Sequence, residues 1–237
     1  LAAGLANLRK RVLLIDLDPQ GNATMGAGID KSALKNSVYQ VLLGMADIPA
    51  VRQWSDSGKF YVLPSNRDLA GAEIEMVDLE QREMRLKQAI AAVADDHDFI
   101  LIDCPPALTM LTLNGLCAAH GVIIPMQCEY YALEGLSDLV NTIKIVHAKM
   151  NPDLQVIGLL RVMFDPRMML SQQVSLQLEK HFGDKVFKTI IPRNVRLAEA
   201  PSHGVPGVIY DPAAKGAQAY LAFGKELVER IDALATA

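Results

Sequence analysis

Short, continuous apolar runs alternate along the chain with stretches of helical spacing. The runs are Val12–Leu17 (VLLIDL), Phe60–Leu63, Phe99–Ile102 (FILI), Val122–Pro125 (VIIP), Val156–Phe164 and Val186–Ile191. Each is shorter than an ordinary helix and rich in β-branched or aliphatic residues, so each predicts a buried strand. Between them, apolar residues recur at i, i+3 and i+4. That spacing predicts helices over Ser32–Leu43, Asp78–Ala94, Leu133–Met150, Ser171–His181 and Ala214–Leu234, with residues 1–10 as the end of another. Within Asp78–Ala94, Glu83 and Lys87 stand at i and i+4, a stabilising charge pair on a helix. Strands apolar on both faces and separated by helices predict an α/β fold: a doubly wound, mostly parallel sheet with helices on both faces. No repeat, low-complexity tract or Pro/Gly/Ser-rich linker interrupts the pattern, so residues 1–237 read as one domain. In such sheets ligands gather beyond the carboxyl ends of the strands, which is where chemistry is sought.

Three strand ends stand out. The first run continues into DLDPQGN, Asp16 to Asn22. Strand alternation puts Asp16 and Asp18 on one side with only Leu17 between, a pair suited to metal or water chemistry. The same Asp-Pro-Gln-Gly run is also good turn chemistry. The third run ends in LIDCPP, where Asp103 has the form of a Walker B acid, the type that supports Mg²⁺. Pro105 and Pro106 lack donors and force the chain out of the sheet. The last run leads into KTIIPRNVRLAEAPSHG, in which Pro192 closes the strand and Arg193 and Arg196 follow. Lys185, Lys188 and Lys215 are nearby in sequence, and such a patch suits a phosphate backbone.

Composition narrows the class. Apolar residues are 51% and charged residues 21%, as in ordinary globular chains. No apolar run reaches the length of about 18 residues that a membrane helix needs. The net charge of −4 gives no global nucleic-acid signature, so any such contact must be local. Cys104, Cys117 and Cys128 are odd in number and lack CxxC spacing, which predicts free thiols in a reducing compartment. The five histidines are scattered without HxxxH pairing and do not outline a zinc site.

Together DLDPQGNAT, LIDCPP, IPRNVRLAEAPSHG and YDPAAKGAQAY resemble, in order, the motifs of the ParA/Soj family of chromosome and plasmid partitioning ATPases. The resemblance implies a P-loop-type fold, ATP and Mg²⁺ as ligands, and hydrolysis of ATP. It implies Asp18 as the catalytic acid that orients the attacking water, Asp103 as the Mg²⁺-supporting acid and Asp16 as a further group ordering Mg²⁺ and its waters. It further implies Pro192 as the residue packing on adenine, and Arg193 and Arg196 near a DNA-contacting face. Implied partners are a second copy in an ATP-bound homodimer, non-specific DNA and a ParB-like centromere-binding protein that stimulates hydrolysis, in the cytoplasm on the nucleoid and without a membrane.

The family pattern also includes a strand and a deviant Walker A loop, KGGxGKT, ahead of a helix resembling NLAAGLA. Leu1 falls inside that helix, and neither GKT nor GKS occurs in the chain. The expectation is therefore a fold lacking the first strand and P-loop, with two unpaired strand edges, one on the Asp103 strand, and no hydrolysis by these residues alone. Two alternatives remain: a MinD-like division-site ATPase, which would need a basic amphipathic tail where KELVERIDALATA is mixed in charge, and a non-catalytic paralogue that only binds partners.

Overall fold

The computed structural model describes residues 1–129 and 132–236. The strands are β1 (Val12–Asp16), β2 (Gln53–Ser55), β3 (Phe60–Leu63), β4 (Phe99–Asp103), β5 (Gly121–Gln127), β6 (Gln155–Phe164) and β7 (Val186–Pro192), and all but β2 fall on the apolar runs. The helices are α1 (Ala2–Asn7), α2 (Asn22–Gly26), α3 (Val38–Leu42), α4 (Ile48–Val51), α5 (Leu69–Glu75), α6 (Arg85–Ala91), α7 (Met110–Ala118), α8 (Ala132–Lys149), α9 (Met169–Phe182), α10 (Val195–Glu199), α11 (Gly207–Tyr210) and α12 (Lys215–Ala235).

Pairing runs β2-β3-β1-β4 in one sheet and β5-β6-β7 in another. All pairs are parallel except β2 with β3. The period-two alternation assigns each strand residue to a layer. Leu13, Ile15, Leu63, Ile100 and Ile102 point into one core with α3, α5, α6 and α7. Val12, Leu14, Phe60, Val62, Phe99 and Leu101 point into the opposite core with α1 and α12. The second sheet repeats this: Ile124, Met126, Leu159 and Val186 meet α8 and α9, while Ile157, Leu160, Phe187 and Ile191 meet α12. Helices therefore cover both faces, and the doubly wound α/β expectation holds.

Two helices tie the sheets together. From α7, Leu111 enters the core of the first sheet and Leu116 and Cys117 that of the second. On the other face Tyr220 of α12 does the same. The first sheet ends at β4 and the second at β5. Among the described residues each of these strands is paired on one edge only, and both are only partly buried despite their apolar sequences.

Several boundaries differ from the sequence expectation. Helix formation over Ser32–Leu43 is confined to α3, because Ser37 starts it with a capping box: its hydroxyl accepts from Tyr39 N and Gln40 Oε1 accepts from Ser37 N. The Asp78–Ala94 stretch is broken at Gln81, whose left-handed backbone (φ 51°) precedes a short 3₁₀ turn and α6. The three-residue strand β2 and helices α5 and α7 have no counterpart in the sequence reading.

Candidate functional site

β1 and β4 pair so that Asp16 lies directly beside Asp103 at their carboxyl ends. Leu17 N then donates to Asp103 O at 2.8 Å, locking the exits of the two strands together. Asp16 is fully buried. Its Oδ2 accepts from Thr24 N at 2.8 Å and Thr24 Oγ1 at 2.7 Å, and its Oδ1 accepts from Asp18 N at 3.1 Å. Thr24 Oγ1 in turn accepts from Ser65 N at 2.9 Å, and Ser65 Oγ donates to Asp18 O at 2.8 Å. The loop after β1 is thus held between Asp16 and the end of β3. Gly21 completes the turn: its φ is 63°, and a Cβ there would stand 2.8 Å from Ser65 O. Asp18 Oδ1 accepts from Gln20 N at 2.9 Å and its side chain is half-buried.

Two of the carboxylates at these neighbouring strand ends, Asp16 and Asp103, are shifted toward their neutral forms. Burial raises the Asp16 carboxyl above its ordinary value, against the pull of the Thr24 and Asp18 donors. Asp103 opens to solvent on one side, yet packing on its others, with Asp16 and Asp18 adding repulsion, raises its carboxyl to about 6. Among the described residues the hydrogen-bond donors to Asp16 and Asp18 are backbone amides and a hydroxyl, not lysines or arginines. A hard divalent cation with oxygen ligands would relieve the repulsion at Asp103, so the chemistry of this strand end is compatible with Mg²⁺ held through its water shell. Beside them, Cys104 packs against Gly115, and burial first, then Asp103, pushes its thiol up to about 12, which makes it inert.

The remaining predicted residues lie together at the carboxyl end of the second sheet. Pro192 closes β7 in register with Phe164, and Arg193 N donates to Phe164 O at 3.1 Å. Asn194 caps α10 by accepting from Leu197 N. Arg193 is exposed and has no ion-pair partner among the described residues. Arg196 is exposed too, but Glu199 (2.9 Å) and Asp211 (3.4 Å) hold its guanidinium. The structure therefore separates the two arginines that the sequence could not rank. Thr24 and Ser65 were not singled out by sequence reasoning, although Ser65 follows Pro64 at the end of β3 and the strand-end rule would have found it.

A family model described as an AAA domain matches residues 1–156. Over 96% of the chain, the sequence is 51% identical to the sporulation initiation inhibitor protein Soj of Bacillus subtilis, of which it covers 90%. It is 47% identical over 97% of its length to the chromosome partitioning protein ParA of Myxococcus xanthus, covering 81% of that relative. The chain belongs to the ParA/Soj family of chromosome-partitioning ATPases. Its fold is that of the P-loop NTPases of this family. The cobyrinic acid a,c-diamide synthase of Mycobacterium smegmatis, solved with a bound ATP analogue and magnesium, superposes with a TM-score of 0.84 at 38% identity, covering 98% of this chain and 87% of that one. The cell division ATPase MinD of Pyrococcus furiosus shares the fold at a TM-score of 0.76 and 23% identity. Among the described residues no helix is long and apolar enough to cross a membrane.

Proposed function

We propose that this chain is the catalytic core of an ATP-dependent DNA-partitioning protein and acts as a single domain. One observation carries the reading: Asp103 lies beside Asp16 at the ends of paired strands, and the loop bearing Asp18 is pinned next to them by a closed network through Asp16, Thr24 and Ser65. In this reading Asp18 orients the attacking water. Asp103 supports Mg²⁺ through water, and Asp16, with no exposed oxygen, orders that shell by fixing the Asp18 loop. Mg²⁺, when bound, neutralises charge on the phosphate oxygens. Pro192 packs on the adenine, and Arg193, backed by Arg196, contacts the phosphates of DNA without reading its sequence.

A further parallel strand beside β4 would deliver a phosphate-gripping loop to the acids. The backbone N–H groups and lysine of such a loop would grip the phosphates, opposite the negative charge that the acids present. With it, ATP closes a homodimer that binds DNA on the nucleoid in the cytoplasm, and a ParB-like centromere-binding partner triggers hydrolysis and release.

The test is retention on duplex DNA of arbitrary sequence by the protein carrying a KGGxGKT-type segment ahead of residue 1. Retention that requires ATP and Mg²⁺ and weakens steeply with salt is expected. Equal retention without nucleotide overturns the reading.

A further inference from the structure

The acidic cluster and the arginine loop lie on different sheets, yet two glycines bring their backbones into contact. Gly28 follows α2 with φ at 84°, and a Cβ there would stand 2.7 Å from Gly204 O. Gly204 ends the 3₁₀ turn Ala200–His203 with φ at 62°, and a Cβ there would stand 3.2 Å from Gly28 Cα and 3.6 Å from Met25 O. Both positions have a left-handed backbone; at Gly28 the space is too small for a methyl group, and at Gly204 a methyl group would force its neighbour to give slightly, so a side chain at either presses the two loops apart. Gly26, two residues earlier, has nothing within 4 Å of such a Cβ.

Each side of this contact is tied to one half of the candidate site. On one side Met25 N donates to Gly21 O, Gly21 N to Asp18 O, and Thr24 to Asp16. Five-residue α2 is thus anchored at the acids, and Gly28 lies just beyond its C-cap, Ala27. On the other side the turn follows directly on α10, where Arg196 is paired to Glu199 and to Asp211. His203 stacks on Tyr210 with ring centroids 4.9 Å apart, fixing the turn to α11.

We infer that the Gly28–Gly204 contact is a positioning element through which the loop carrying Arg193 and Arg196 sets the placement of the Asp18 loop. A displacement of the arginine loop is transmitted backbone to backbone into α2, and from α2 through Thr24 and Gly21 to Asp18. This rests on the functional reading above for the role of each end, but the mechanical link does not depend on it.

Amide hydrogen exchange on the full chain tests the link directly. Gly204→Ala and Gly28→Ala are each expected to raise exchange at Gly21, Thr24 and Met25 several-fold, while Gly26→Ala leaves those amides unchanged. His203→Ala removes the stacking without adding bulk, and serves if an alanine at either glycine prevents folding. It is expected to raise exchange at the same amides to a smaller degree. In the ATP-hydrolysing protein, the glycine variants are expected to hydrolyse ATP more slowly while still binding nucleotide. Exchange changes confined to residues 195–211 in Gly204→Ala and His203→Ala overturn the link. A parent protein that shows no hydrolysis and no DNA binding overturns the functional reading instead, and leaves the exchange result to decide the link.

Discussion

Replacing Thr24 by valine removes one hydroxyl from the centre of the site and almost nothing else. The side chain is fully buried, and valine matches its shape. Two hydrogen bonds disappear: Thr24 Oγ1 to Asp16 Oδ2 at 2.7 Å, and Ser65 N to Thr24 Oγ1 at 2.9 Å. The first reaches a carboxylate, and such bonds contribute about 1.5–3 kcal/mol. The second leaves the Ser65 amide without its acceptor, at a cost of about 1–3 kcal/mol when buried. The two losses share one oxygen and overlap, so the expected destabilisation is about 2–4 kcal/mol in urea unfolding. Thr24→Ser, which keeps the hydroxyl, should lose only about 1 kcal/mol. The sign with pH follows from Asp16. Its folded value is raised by burial, so its neutral form prevails below that value and needs the donor less. The valine penalty should therefore shrink as pH falls through the folded value of Asp16 and be largest above it. A double-mutant cycle with Asp16→Asn should show coupling of about 1–3 kcal/mol. A loss below about 0.5 kcal/mol in Thr24→Val, the size of an ordinary surface change, would refute the network.

Further outcomes follow from the same geometry. Carbon-detected NMR should show Asp103 titrating near pH 6. Because its folded value lies above the ordinary 3.8, its contribution favours the fold at low pH and is lost as pH rises through about 6. Asp18→Asn, which removes a like charge, should move that titration down, as should added Mg²⁺; an unchanged midpoint in both refutes the proximity. Arg193→Ala should weaken DNA binding and lower the salt slope by about one, and more than Arg196→Ala, whose guanidinium already has two carboxylate partners. Equal effects in a salt titration would contradict that ranking. Buried Arg161 donates to Phe187 O at 2.8 Å and Ser175 Oγ at 2.9 Å and pairs with Glu179. Arg161→Met should cost about 1–3 kcal/mol in urea unfolding, because the β7 carbonyl loses its donor while half-exposed Glu179 returns to water.

How much of this was legible before folding depends on whether a residue's partners are near in sequence. The runs VLLID and FILI announced parallel strands because both faces of each are covered, and the two end together at Asp16 and Asp103 as the strand-end rule implies. Helix α7 was missed because it lies over both sheets: Leu111 and Leu116 serve different cores, so the helix is apolar nearly all round and shows no stripe. The break at Gln81 was hidden because glutamine carries no turn signal, and its left-handed backbone comes from tertiary context. At the site, strand alternation puts Asp16 and Asp18 on one side without saying which is buried. The fold separates them, burying Asp16 behind Thr24 and leaving Asp18 half-exposed, because Thr24 and Ser65 converge from two other segments. The Gly28–Gly204 contact joins positions too far apart in sequence for any local pattern to reveal.

The central claim is that Asp18 orients the water that attacks ATP on a site whose nucleotide and DNA functions are otherwise intact. Among the described residues its carboxylate accepts one hydrogen bond, from Gln20 N, so its removal should leave the fold in place. Single-turnover hydrolysis by the ATP-binding protein carrying Asp18→Ala tests this most directly. The account predicts ATP affinity and ATP-dependent DNA retention close to the parent, with hydrolysis reduced by about two orders of magnitude or more. Hydrolysis at the parent rate would contradict it.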